Sequence, residues 1–290
     1  MSARTGMQRN EPSIRDFWGA HPCGEHVVTS RFRDDYIRFF AEYDAHRYAE
    51  NPHLIPCLDA IDWPGKQVLE IGLGQGADAE QIIRRGARWS GLDLTAEAVE
   101  RVATRFRLRE LPFEEIRQGS ILQSPYDSHR FDIIFSHGVL HHVPQIRQAS
   151  AEIERMLKPD GELVVVMYAR WSWHYLISMA IYSRLTQAIA YLLRRRDGDV
   201  LGNGYAEVID NIGVWRYLRM RTFTHHNTDG AANPYTKMYD LRRIRQDFPE
   251  FRVTRAYKRL MPPAPWLSGA RPPLERLMGW YLWVHLRKHT

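Results

Sequence analysis

The sequence predicts an α/β protein built on a doubly wound parallel sheet, and three observations carry that expectation. Short apolar runs alternate with stretches of helical periodicity from about residue 67 to residue 168. A turn rich in glycine, Gly72-Leu-Gly-Gln-Gly76, follows the first apolar run directly. An acid, Asp93, closes the second run about 20 residues further on.

The elements follow in order. Residues 1–30 are polar and irregular apart from Phe17-Trp18 and the turn His21-Pro-Cys-Gly24, and read as an arm that folds over a ligand. From Arg31 to Glu50 aromatic residues recur near helical spacing, and a further short helix spans Pro52 to Ile61. Core packing is the plain reading of the aromatic face on the first of these. Strands are expected at 67–71, 88–92, 113–117, 131–136 and 161–168, with helices at 77–86, 96–107 and 144–157. Thr95 is placed to cap the second of these helices, and Lys158-Pro-Asp-Gly161 turns the chain into the fifth strand.

Residues 169–247 break the alternation. They open with Trp171, Trp173, His174 and Tyr175, continue as an apolar helix to Leu193 interrupted only by Arg184, and reach Arg194-Arg195-Arg196. That stretch, 171–196, suits peripheral contact with a membrane or the lining of a lipophilic pocket, with the core of a cap as the plainer reading. Further on, Thr224 to Gly230 reads as a polar loop. His225 and His226 are adjacent and cannot readily chelate one metal, Asp229 has no evident partner, and no metal site is expected. Phe251–Lys258 and Trp280–Leu286 alternate as strands, joined by a Pro-rich loop from Met261 to Pro273. The divisions are therefore 1–60 as arm and covering helices, 61–168 as the ligand-binding core, 169–247 as a helical substrate-binding insertion, and 248–290 as closing strands.

Composition bounds the function. The chain has 290 residues and a net charge of +6, with no run of apolar residues long enough to span a membrane and no secretory core, so a cytoplasmic protein is expected. Cys23 and Cys57 have neither metal-ligand spacing nor a disulfide framework. Residues 168–290 hold 20 Lys and Arg against 9 Asp and Glu, whereas 1–167 hold 20 against 25. A basic half suits an anionic substrate, an acidic membrane or nucleic acid, or is simply a solvated face.

The glycine turn lets a ligand approach bare backbone, and the amides that open the next helix stand ready to donate. Asp93 is suited to accept from the hydroxyls of a ribose. Gly72, Gly74 and Ala77 also satisfy the dinucleotide pattern, so the turn alone does not choose the ligand. Glu70 weighs against a pyrophosphate, because a carboxylate beside the turn favours an ammonium or sulfonium. Right-handed crossovers place the site outside the carboxyl ends of strands one and four.

With Phe131-Asp-Ile-Ile-Phe-Ser136, Val139-Leu-His-His-Val143 and Met156-Leu-Lys-Pro-Asp-Gly-Glu-Leu-Val-Val-Val166 in this order, residues 60–168 resemble the class I S-adenosylmethionine-dependent methyltransferases. The likeness is greatest to their small-molecule branch, in the style of the ubiquinone and menaquinone enzymes. The resemblance implies a Rossmann-like seven-stranded sheet closed by an antiparallel strand pair, S-adenosylmethionine as cofactor, and a small-molecule acceptor. It implies that Glu70, Gly72, Leu73, Gly74, Gly76 and Asp93 cradle the cofactor. Leu94 and Ile121 would sandwich the adenine, Ser120 would stand where the family commonly has aspartate, and Ser136 would face the methionine end. Helices ahead of the first strand often cover the cofactor in this family, which makes Tyr36, Tyr43 and Arg47 candidate outer contacts.

Methyl transfer needs two reactants held in line, and a base only if the acceptor must lose a proton. His137 and His141 are the candidate bases, while His142 reads as structural. Two other classes were weighed. A nucleic-acid methyltransferase has only the charge in its favour, since Ser136-His-Gly-Val139 replaces the Asn-Pro-Pro-Tyr type of base clamp and both cysteines precede the first strand. A non-catalytic cofactor-binding protein is not required by any missing residue.

Overall fold

A computed structural model describes residues 11–193, 200–202, 204–261 and 271–289. Three helices lead in: α1 (Glu11–Ala20), α2 (Tyr36–Glu50) and α3 (Leu54–Asp59). The core then runs β1 (Gln67–Ile71), α4 (Ala77–Arg84), β2 (Arg88–Asp93), α5 (Ala96–Leu108), β3 (Glu115–Gln118), β4 (Phe131–His137), α6 (Ile146–Met156) and β5 (Leu157–Tyr168). A π-helix, His174–Ser183, passes without a break into α7 (Arg184–Leu192). It is followed by α8 (Tyr205–Ile212), α9 (Val214–Tyr217), α10 (Met220–Thr228) and α11 (Leu241–Asp247). The chain closes with β6 (Phe251–Arg259), α12 (Arg271–Met278) and β7 (Tyr281–Lys288).

The seven strands form one sheet in the order β3-β2-β1-β4-β5-β7-β6. β1 to β5 pair in parallel, and β7 is antiparallel to both β5 and β6. Strand order reverses between β1 and β4, which opens a cleft at their carboxyl ends. Side chains along β5 alternate between two cores: Leu163, Val165 and Met167 pack with α6 and α11, while Val164 and Val166 pack with α3, α4 and α5. Period-two alternation with both faces apolar explains why these strands read as continuous hydrophobic runs. The expected fold class, a doubly wound sheet with a closing antiparallel pair and a helical insertion, is the one observed.

Several local expectations are corrected. The N-terminal arm is not irregular throughout: Ile14 and Phe17 are buried one turn apart, enough to anchor α1. β5 begins at Leu157 rather than after the Lys158–Gly161 turn, with a shift of register between Phe131 and Ile133. Thr224 to Thr228 lie in α10 instead of a loop, because Phe223, Thr224, His225 and His226 are all buried against the rest of the insertion. The Pro-rich connection ends in α12, so it is not loop as far as Pro273; its residues 262–270, like Arg194–Arg196, fall outside the described residues.

The insertion has a small core of its own, with Met179, Ile209, Tyr217 and Phe223 buried together. Its far end is pinned to β5, where Tyr239 N–H donates to the Tyr168 carbonyl at 2.8 Å and Arg170 N–H returns to the Tyr239 carbonyl at 2.7 Å.

One buried cation ties the leading helices to the core. Arg105 on α5 is fully buried, donates to both oxygens of Asp44 on α2 at 2.8 and 2.6 Å, and donates to Glu80 on α4 at 2.8 Å. It also reaches the carbonyl of Gln75 in the glycine turn at 3.2 Å. Arg109 also donates to Asp44 and to Glu80, at 2.8 and 2.5 Å, so Arg105→Ala removes the buried one of their two shared cations and is expected to cost about 1.5–3 kcal/mol in denaturant unfolding. A change below about 1 kcal/mol, the range of an exposed ion pair, would show that water replaces the guanidinium at little cost.

Candidate active site

The carboxyl ends of β1, β2 and β4 open into a cavity of about 230 Å³. At its floor the chain leaves β1 through three glycines with positive φ, Gly72 at 79°, Gly74 at 52° and Gly76 at 76°. Each has a different reason to be glycine. A Cβ on Gly72 would lie 2.1 Å from a methyl of Val139, so this residue lets the β1 and β4 ends approach. A Cβ on Gly74 would meet nothing within 4 Å and would occupy cavity space instead. One on Gly76 would press on Val102 and Arg105 of α5 at 3.1 Å, which makes Gly76 a packing residue beneath the turn.

Asp93 stands at the end of β2 with its carboxylate already engaged. It accepts from Leu73 N–H at 2.7 Å, from Thr95 N–H at 2.9 Å and from the Thr95 hydroxyl at 2.8 Å. Two carboxylate oxygens offer about four acceptor positions, so capacity remains for a ligand hydroxyl. Burial raises the Asp93 carboxyl above its ordinary value, and these bonds oppose the rise. Glu70 is buried with Trp89 Nε1–H donating to it at 2.9 Å. Burial, and then the nearby Asp78 charge, push its carboxyl well above the usual range.

Of the sequence-predicted cofactor residues, Glu70, Gly72, Leu73, Gly74, Asp93, Leu94 and Ile121 line the cavity. Gly76, Ser120 and Ser136 do not. Ser136 is buried and donates its hydroxyl to the Ile71 carbonyl at 3.1 Å, joining β4 to β1. Ser120 donates to the carboxylate of Glu11, and it is Glu11, on α1, that lines the cavity.

Beyond the turn lies a cluster that pattern reading did not find. Asp78, on the first turn of α4, is paired with Arg47 through two bonds of 2.9 and 2.6 Å and with His137 Nδ1 at 2.8 Å. Arg47 Nη2 also lies 3.2 Å from that nitrogen. The shorter, charge-assisted contact to Asp78 assigns the proton to Nδ1 and leaves Nε2 as the ring's acceptor. An acid at a helix start reads from sequence as a dipole partner, and that hid Asp78.

The two candidate histidines part company. His137 lines the cavity. His141 does not: it is fully buried, its ring lies 4.1 Å from that of Tyr168, and neither nitrogen has a hydrogen-bond partner. Burial, followed by the charges of His142 and His137, keeps it well below the usual histidine range, so it is not placed to take a proton from an acceptor. His142, read as structural, does line the cavity, edge-on to Trp18 at 5.1 Å, with Nδ1 2.8 Å from the Tyr235 carbonyl. Tyr168, Tyr281, Cys23 and Asp229 also line it. Asp229 has a partner after all: Tyr168 donates its hydroxyl at 2.7 Å and Asn233 its amide at 3.3 Å. Tyr43 and Arg47 reach the cavity, whereas Tyr36 lies on the surface. Among the described residues no cluster of side chains is arranged to hold a metal ion.

Residues 69–165 match the family described as Methyltransferase domain. The chain carries a class I S-adenosylmethionine-dependent methyltransferase domain. The cofactor of such a domain is S-adenosylmethionine. Over 103 residues the chain is 34% identical to a phthiotriol/phenolphthiotriol dimycocerosates methyltransferase of Mycobacterium tuberculosis, covering 35% of this chain and 37% of that one. Over 130 residues it is 29% identical to a ubiquinone biosynthesis O-methyltransferase of Alkalilimnicola ehrlichii, covering 44% and 51%. The chain thus spans between a third and about half of the length of these relatives. A solved S-adenosylmethionine-dependent methyltransferase from Mesorhizobium loti shares the fold, with a TM-score of 0.51 and 17% identity over 80% of this chain and 96% of that one.

Two outcomes follow for the free protein. Gly72→Ala combines a left-handed backbone with a clash against Val139, and is expected to cost about 1–3 kcal/mol in thermal or urea unfolding. A variant as stable as the parent would mean that Val139 moves aside freely. Burial works against the Asp78 charge, but Arg47 and then His137 outweigh it, so its carboxyl ionises below the usual aspartate range. Stability from this group is complete above about pH 3.9 and is lost as the pH falls toward the lowered native value. Asp78→Asn should therefore flatten the acid limb of a pH–stability curve below about pH 4, and an unchanged slope would exclude the pairing.

Proposed function

We propose that the chain transfers a methyl group from S-adenosylmethionine to a neutral or lipophilic small-molecule acceptor held between His137, Tyr168 and Asp229. The observation that supports this reading is the continuity of one cavity, which runs from Asp93 and Leu94 past Glu70 to His137, Tyr168, Asp229 and Tyr281. Cofactor and acceptor positions thereby share a wall.

The residues fit the cofactor. Asp93 would accept from the ribose, Leu94 and Ile121 would flank the adenine, and the space above Gly74 would admit the ligand backbone-close. Where the family commonly carries an aspartate, Ser120 holds Glu11, so that α1 brings a carboxylate to the same end of the cavity. S-adenosylmethionine supplies an electrophilic methyl group on a sulfonium sulfur. The residues of the chain align the acceptor for in-line attack and exclude water, worth on the order of 7–11 kcal/mol of the barrier. Asp78 holds the His137 tautomer whose Nε2 would accept the acceptor's hydroxyl proton as the acceptor oxygen takes the methyl group and the methyl–sulfur bond breaks, leaving the sulfur neutral. Tyr168 remains a phenol, because burial and then Asp229 raise it well above its ordinary value; it orients rather than deprotonates.

The covering roles of the flanking segments belong to the same reading. Ile14 and Trp18 of α1, Tyr43 and Arg47 of α2, and Asp229 after α10 all line the cavity, which supports residues 1–60 as cover for the cofactor and 169–247 as the acceptor-binding insertion. The relatives named for dimycocerosates and for ubiquinone are consistent with an apolar acceptor.

Calorimetry is expected to show S-adenosylmethionine and its demethylated product binding with Kd of micromolar order, about −8 kcal/mol. Binding of NADH in place of both would overturn the assignment. Asp93→Ala should weaken cofactor binding by about 1–3 kcal/mol, and an unchanged Kd would place the ribose elsewhere. His137→Ala should retain cofactor affinity while turnover falls about 100-fold or more; full activity would remove the base.

A further inference from the structure

We propose that the helix running from His174 to Leu192 docks the protein on the surface of an anionic lipid bilayer. Along it, Ile177, Ile181, Leu185, Ile189 and Leu193 recur every fourth residue, and all are exposed. Leu192, at the same end, is 76% exposed. In an α-helix a four-residue repeat drifts by about 40° at each step, which would wind these side chains around the helix. The wider π turns of His174–Ser183 offset that drift, so the stripe stays on one face across the junction with α7. Among the described residues nothing covers this stripe, and an exposed apolar stripe of this extent is the signature of a partner-binding or membrane face rather than of isolated surface residues.

Charge selects the partner. From Gly161 to Leu193 the only carboxylate is Glu162 on β5, and none occurs between Leu163 and Leu193. Arg170, with its guanidinium over the half-exposed ring of Trp171 at 4.6 Å, stands just before the helix. α10 packs against the π-helix and is joined to α9; Arg216, Arg219 and Arg221 on and between them are exposed, beside Trp215 at 82% exposure. Apolar side chains with aromatic and arginine neighbours match the acyl boundary and the phosphate layer of a bilayer with anionic lipids. Among the described residues no helix is long and apolar enough to cross a membrane, so the helix lies along the surface. The site is within reach: His174 opens the helix edge-on to Trp280 at 4.5 Å, and Trp280 stacks at 4.5 Å on Tyr168 in the cavity wall.

The docking does not depend on methyl transfer and is read without turnover. The full chain is floated with vesicles of phosphatidylglycerol and phosphatidylcholine in equal parts, and with phosphatidylcholine alone. Binding to the mixed vesicles is expected, weaker to phosphatidylcholine, and weakened further by salt. Leu185→Glu and Ile189→Glu, both at exposed positions, should each reduce mixed-vesicle binding about tenfold or more while the thermal melt is retained. Failure of the parent chain to float with the mixed vesicles at low salt overturns the proposal, whatever the variants do. So does light scattering that shows a dimer which Leu185→Glu converts to a monomer, with no vesicle binding, since the stripe would then be covered by a second copy. Cofactor binding measured on the same samples separates either outcome from a failure of the methyltransferase reading.

Discussion

The bond from Leu73 N–H to the Asp93 carboxylate, 2.7 Å long, is the contact on which the site depends. It ties the turn after β1 to the end of β2, and Gly72 N–H doubles the tie by donating to the Leu92 carbonyl at 2.8 Å. The same carboxylate accepts the backbone N–H and hydroxyl of Thr95, whose hydroxyl caps α5 through Ala98 N–H. One side chain thus fixes two strand ends and a helix start. A turn held in this way keeps its left-handed glycines in place before any ligand arrives, and the cost of ordering it falls on folding rather than on binding.

A second constraint closes the opposite side. Gly72 against Val139 and the Ser136 hydroxyl on the Ile71 carbonyl lock β4 to β1 at the point where strand order reverses. From there His137 continues β4 into the cavity, and Asp78 and Arg47 reach it from α4 and α2. The base candidate therefore rests on β4, α4 and α2, and Arg105 of α5 joins the last two through Glu80 and Asp44. Packing beneath the turn and chemistry above it are linked by the same helices.

What was legible in the sequence was local. β1, β2, β4 and β5 announce themselves as apolar runs because both faces of each are buried, and Gly72, Gly74 and Asp93 carry their reasons in their residue types. Contacts between segments distant in sequence were not legible. Glu11 meets Ser120 across 109 residues and Asp78 meets Arg47 across 31, so no periodicity marks either pair. His141 and His142 are neighbours in a single 3₁₀ turn, where one step of rotation decides which ring enters the core and which the cavity. The four-residue repeat of the insertion helix was visible only as apolar character, because the π turns that align it are a matter of backbone geometry.

The distribution of charge settles which kind of ligand the cavity favours. Its lining carries Glu11, Asp78, Asp93, Glu97 and Asp229 against two guanidiniums, Arg47 and Arg101, with Glu70 beside them as a buried carboxyl pushed toward its neutral form. A pyrophosphate in that setting would face a surplus of like charge at short range, whereas a sulfonium with an ammonium group meets the opposite sign. The basic excess of residues 168–290 contributes no cation to the lining among the described residues. Arg216, Arg219 and Arg221 of that half are exposed on and between α9 and α10, and α10 packs against the π-helix that carries the exposed apolar stripe, so charge and apolar surface there fit the proposed bilayer partner.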